Sequence, residues 1–116
     1  MEESRLGKVE VTPTAIASLA SQVVLECYGV VGMATKDLAS GIVEILQPAG
    51  HRRGVKIEIG DDHIVVDLYV VVEYGTRIAV VARNIQSSVK YALEKALGVP
   101  VEAVNVHVQD LRVSAD

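Results

Sequence analysis

The chain of 116 residues has no Trp and no Phe, and Tyr28, Tyr69, Tyr74 and Tyr91 are its only aromatic rings. Its core is therefore aliphatic. Proteins that hold single-stranded nucleic acid stack bases on aromatic rings, and few rings are available here. Positive charge is also short: eleven Lys and Arg face fifteen Asp and Glu, a formal net charge of −4. Binding a phosphate backbone rests largely on excess Lys and Arg, so a non-specific nucleic-acid binder is disfavoured on both counts. One cysteine, Cys27, excludes an intramolecular disulfide framework and suits a reducing compartment. MEESRLGK lacks the apolar centre of a signal peptide, and the apolar run from Ile64 to Val72 is interrupted by Asp67. The expectation is a soluble, cytoplasmic chain that does not itself insert into a membrane.

What is present is half apolar by composition and enough for one core. Lys8-Val9-Glu10-Val11 alternates as a short strand does. Thr12-Pro13 places a hydroxyl at a cap and a proline at the first helical position, and Ile16, Leu19, Ala20, Val23, Val24 and Cys27 form the stripe of a helix that Gly29 ends. Val30 to Ala34 reads as a short extended piece. Asp37 then caps a second predicted helix through Leu38, Ile42, Ile45 and Leu46, despite the glycine at Gly41. Val55 to Ile59 and Ile64 to Tyr74 flank a turn and predict a hairpin. From near Arg77 a long helix puts Ile78, Val81, Ala82, Ile85, Val89, Ala92, Leu93 and Ala96 on one face and stops at Gly98, with Pro100 beyond. Val104, Val106 and Val108 alternate in a closing strand. The order strand, helix, short strand, helix, strand, strand, helix, strand predicts an α+β two-layer sandwich, a mainly antiparallel sheet with helices packed on one face. A single domain over residues 7–113 is expected, with frayed tails at 1–6 and 114–116.

No residue set points to catalysis. Gly75-Thr76 joins strand to helix as a phosphate-binding turn does, but a phosphate cradle needs several glycines or a following Lys, so a structural corner with Thr76 as helix cap is the better reading. Gly29-Val30-Val31-Gly32 spells the GxxG of a KH-type RNA-binding loop, with two valines where polar residues belong. Asp61-Asp62-His63 is a turn sequence, because adjacent side chains diverge and rarely close on one metal ion. Cys27 lies on an apolar stripe, where cysteine acts as a small hydrophobe. No cofactor is expected.

Two surfaces are candidates for binding. One face of the long strand is wholly apolar, while the other carries Val65, Asp67, Tyr69, Val71 and Glu73. If the first meets the helices, Val65, Tyr69 and Val71 stay on the second as an apolar strip, joined by His107 on the polar side of the closing strand. This predicts self-association or partner docking through that sheet face. It also predicts that Val71→Asp abolishes the association without unfolding the domain. Arg52 and Arg53, with Lys56, are the candidates for contact with an anion, an anionic lipid or RNA.

In order and spacing, GKVEVTPTAIASLASQVV, YGVVGMA, GVKIEI, VVDLYVVVEYGTRIAVVARNIQSSV and VEAVNVHVQDL resemble the alkaline shock protein family, the Gls-type general stress proteins. The resemblance implies a small bacterial, cytoplasmic, non-enzymatic protein of the envelope or alkaline stress response. It further implies peripheral placement at the inner membrane face through a membrane-anchoring partner, assembly into larger structures, and a link to a fatty-acid-kinase-like neighbour. It supplies no catalytic motif. A scaffold acting by self-association and docking is thus the expected function. The alternative is a small ligand- or RNA-binding module using Gly29 to Gly32 or the Arg52-Arg53 loop.

Overall fold

A computed structural model describes residues 6–7, 10–34, 45–46, 54–60 and 63–113. Their elements run α1 (Pro13–Leu25), β1 (Val30–Ala34), β2 (Ile45–Leu46), β3 (Val55–Ile59), β4 (Ile64–Glu73), α2 (Ile78–Leu97) and β5 (Ala103–Arg112). The α+β arrangement read from the sequence is the one observed. Both helices pack on one face of a sheet in which three strand pairings are antiparallel and one, β4 with β5, is parallel. The parallel pair follows from chain order: α2 carries the chain back to the end at which β4 began, as a crossover between parallel strands must.

Strand β4 organises the sheet. Along one edge it pairs with β5 from Val65 to Glu73; along the other, β3 takes its first half and β1 its second. The two shorter strands meet end to end opposite Tyr69, whose N–H donates to Gly54 O at 2.8 Å. Gly54 has φ +77°, and a Cβ there would sit 2.7 Å from the carbonyl oxygen of Ala34. Only glycine fits that junction.

Alternation along β4 sends Ile64, Val66, Leu68, Val70 and Val72 into one cluster with Val24 of α1, Val81, Ile85, Val89 and Leu93 of α2, and Val104 of β5. Two of the four helix ends are fixed as their sequences suggest. Thr12 Oγ1 accepts the Ala15 N–H at 3.2 Å with Pro13 next in line, and Gly98 closes α2 in a left-handed conformation. Gln86 Nε2 donates to Val104 O and Glu94 Oε2 accepts the Val101 N–H, each at 2.9 Å, so α2 is tied to β5 and to the loop before it.

Four expectations need correction. Ile45 and Leu46 are not the end of a helix; they form β2, antiparallel to Met33 and Ala34. The rest of that expected helix lies outside the described residues. Helix α1 ends at Leu25, four residues before Gly29, which instead supplies a positive φ where β1 begins. Glu10 and Val11 are not in a strand, while Lys8 and Val9 lie outside the described residues. Finally, Thr76 does not cap α2: its hydroxyl donates back to Glu73 O at 2.7 Å, and the cap residue is Arg77, with no side-chain bond. The unusual backbone angle expected of Gly75 is present, at φ +100°.

Gly54 and Gly75 both hold positive φ, but a Cβ at Gly75 would meet open space. Gly75→Ala should therefore cost about 1–2 kcal/mol from backbone strain alone, and Gly54→Ala measurably more, because Ala34 and Tyr69 must also move apart. Urea denaturation of the two variants beside the parent checks the order.

Candidate functional site

On the sheet face away from the helices, the parallel register sets Asp67 beside Asn105 and Tyr69 beside His107. Asp67 Oδ1 accepts from Asn105 Nδ2 at 3.1 Å and lies 3.0 Å from His107 Nε2. The His107 ring stacks on Tyr69, with centroids 4.6 Å apart and planes 13° from parallel. Lys56 completes the group from β3, in register with Asp67. The hydrogen bond with His107, helped by Asn105 and by the charges of His107 and Lys56, outweighs desolvation and holds the Asp67 carboxyl below the usual carboxylate range.

Such a group fixes an imidazole by one nitrogen and by its ring face, leaving its side chain 41% exposed. That suits a rigid hydrogen-bonding point for a docked partner. Among the described residues, the side-chain partners of His107 are Asp67 and Tyr69, and no Ser, Thr or Cys bonds to it. No three His, Cys, Asp or Glu among the described residues group to hold a metal ion.

The predicted binding residues are placed unevenly. Tyr69 and His107 are brought into contact, and Val65 is half-buried on the same face. Val71 and Tyr69, however, are 0% and 9% exposed, so the exposed apolar strip expected at Val65, Tyr69 and Val71 does not exist as drawn. Val71→Asp would put a charge in a buried position and unfold the domain rather than report on association. Lys56 stands at the Asp67 cluster; Arg52 and Arg53 lie outside the described residues. Gly29 to Gly32 is not a loop, because Val30 and Gly32 pair with Val72 and Val71 of β4. Cys27 is half-buried, its Sγ donating to Val23 O at 3.4 Å, and burial raises its thiol pKa, which disfavours a nucleophile.

A second surface was not anticipated. At the end of the domain where β4 turns into α2, six large apolar side chains are exposed: Tyr28, Val31, Tyr74, Ile78, Val80 and Leu111. Two backbone bonds gather them, Glu73 N–H to Gly29 O and Tyr74 N–H to Arg112 O, at 2.8 and 2.7 Å. Shallow clefts flank the first turn of α2, one lined by Ile78, Val108 and Leu111, the other by Tyr28, Thr76, Arg77 and Val80. Gln109, the extra residue of the β5 bulge, lines the first cleft, and its Oε1 is buried without a hydrogen-bond partner. The sequence held one signal for this surface: Val80 falls off the stripe of Val81, Ile85 and Val89. Ile78 looked like part of that stripe, but the helix begins beyond the end of the core.

Comparison with known proteins gives this domain its relatives. The profile of the alkaline shock protein family, described as having a cell envelope-related function, matches residues 1–113. The chain belongs to the alkaline shock protein family. It is 38% identical over 112 residues to the uncharacterized protein YloU of Bacillus subtilis (strain 168), covering 96% of this chain and 93% of that one. It is 37% identical over 108 residues to the uncharacterized protein Spy1614 of Streptococcus pyogenes serotype M6, covering 92% and 89%. YqhY of Bacillus subtilis, also uncharacterized, is 34% identical over 107 residues, covering 92% and 78%. Among solved structures, a zinc form of the MamM CTD superposes with a TM-score of 0.52 at 14% identity, covering 88% of each chain. That likeness is one of fold. No described helix of this alkaline shock family chain is long and apolar enough to cross a membrane.

The Asp67 cluster carries a pH signature. A carboxyl whose pKa is lowered by folding stabilises the folded state above its unfolded pKa of about 4, and that contribution is lost as pH falls through the lower folded value. Asp67→Asn should therefore be less stable than the parent at neutral pH, with the gap closing below about pH 4. Denaturation midpoints of both proteins across an acid series read this directly.

Proposed function

We propose that this protein is a non-catalytic scaffold of the bacterial envelope or alkaline stress response, acting by self-association and by docking on a partner protein. The observation that carries the reading is the exposed apolar end of the domain. Six large apolar side chains are exposed there in a chain that has few aromatic rings, and two of its four tyrosines, Tyr28 and Tyr74, are among them at 79% and 65% exposure. Exposed apolar side chains grouped at one end of a domain point to an interaction site, and tyrosine is enriched in such sites. The buried, unpaired Gln109 Oε1 beside Ile78 supports the same reading, since an unmet buried acceptor is costly and an incoming N–H or O–H would satisfy it.

Membership of a family with an envelope-related function supports the cellular setting, and the stress link is carried by the sequence resemblance. A partner that holds the protein at the inner membrane face, or a fatty-acid-kinase-like neighbour, is the kind of protein this end would meet. The alternative, a small ligand- or RNA-binding module, loses one of its two segments, because Gly29 to Gly32 runs into a paired strand; Arg52 and Arg53 lie outside the described residues.

Light-scattering mass across a dilution series tests the proposal. The parent should exceed the 12.4 kDa of one chain at high concentration. Ile78→Asp and Tyr74→Asp should each return it to one chain with little loss of stability, because both side chains are exposed and, at Ile78, an acid in the first turn of a helix is favourable. A parent that scatters as one chain at every concentration overturns self-association through this end.

A further inference from the structure

We infer that the outer face of α2 is a docking face for an anionic phospholipid bilayer. Between Arg77 and Leu97 lie four of the eleven Lys and Arg of the chain but one of its fifteen Asp and Glu, so this segment is +3 and the remainder −7. The asymmetry is spatial as well as sequential. Val81, Ile85, Val89 and Leu93 turn into the core, and Arg77, Arg83, Lys90 and Lys95 are all exposed. At a 1.5 Å rise per residue they extend over about 27 Å of helix. The one acid of the segment, Glu94, has a carboxylate oxygen turned to the Val101 N–H. Helix α1, which shares the layer, contributes no charged residue at all.

Two features favour a bilayer over other polyanions. Val80 and Tyr91 are exposed among the cations, at 43% and 67%, and Lys95 Nζ lies 5.7 Å from the Tyr91 ring centre. A membrane–water interface takes up apolar and tyrosine side chains together with Lys and Arg, whereas a duplex offers phosphates and little else to such a face. The acidic remainder of the chain fixes the orientation: an anionic surface attracts the α2 side and repels the others. This docking is peripheral, uses no residue of the expected Arg52-Arg53 loop, and shares only Arg77 and Val80 with the end proposed above for self-association.

Sedimentation with phosphatidylglycerol-containing vesicles and with pure phosphatidylcholine vesicles, in low and high salt, tests it. The full chain should pellet with the first and not the second, and high salt should release it. An Arg83→Gln, Lys90→Gln double variant should bind about 30-fold more weakly, from the stabilisation each cation gives at an anionic surface. Lys90→Glu should weaken binding further than Lys90→Gln. Each of these positions is outside the buried core, so thermal midpoints should hold. Equal pelleting with both vesicle types, no pelleting with either, or a double variant that binds as the parent does would overturn the inference. So would retention of RNA that the double variant loses without any vesicle binding, which would make the face a nucleic-acid contact.

Discussion

Strand β4 is hydrogen-bonded on both edges and apolar on the face beneath the helices, and the rest of the domain is arranged to make that possible. A strand so enclosed can leave no backbone group unpaired. Along one edge a single partner, β5, follows it for nine residue pairs; along the other, two short strands must share the length and meet without a gap. Gly54 makes that meeting feasible. With a side chain at Gly54, β1 and β3 would be forced apart opposite Tyr69, breaking the second edge in the middle of the sheet.

The same strand explains why the fold was legible and where the reading failed. Ile64, Val66, Leu68, Val70 and Val72 recur at every second position, and Val81, Ile85, Val89 and Leu93 at helical spacing, so the long central strand, the long helix and their contact follow from periodicity. Short elements carry no such redundancy. Ile45 and Leu46 fit a helical stripe and a strand equally well, and a two-residue pairing with Met33 and Ala34 decides for the strand. Thr76 has the side chain of a helix cap, yet its hydroxyl bonds back to Glu73, a tertiary choice between two acceptable hydrogen bonds.

Sites were harder to read than elements, because exposure belongs to the assembled chain. Alternation correctly put Val65, Tyr69 and Val71 on the face away from the helices, but a sheet face is not thereby a free surface, and Val71 is fully buried. The pairing of Tyr69 with His107 and of Asp67 with Asn105 needed the parallel register, which the bulge at Gln109 shifts just beyond the cluster. Conversely, the exposed end is built from separate segments and no one of them looks unusual alone. Its segments meet at one end of the domain only when Glu73 and Tyr74 are bonded to Gly29 and Arg112.

Charge and apolar surface are thus distributed by layer, which bears on how such a domain could be used. The core requires α2 to turn its aliphatic residues inward, but nothing about the core requires its outer residues to be cationic: a helix of this length is equally soluble with mixed charges. Lys95 alone has a local justification, since a cation in the last turn complements the helix dipole. Arg77 has the opposite sign from what a helix start favours, and Arg83 and Lys90 lie in mid-helix, away from either terminus. Three of the four positive charges therefore have no ion pair with a described residue and no favourable place at a helix end. In a chain otherwise acidic, their shared exposure on the side of α2 away from the core is better explained by what the domain meets than by what it packs against.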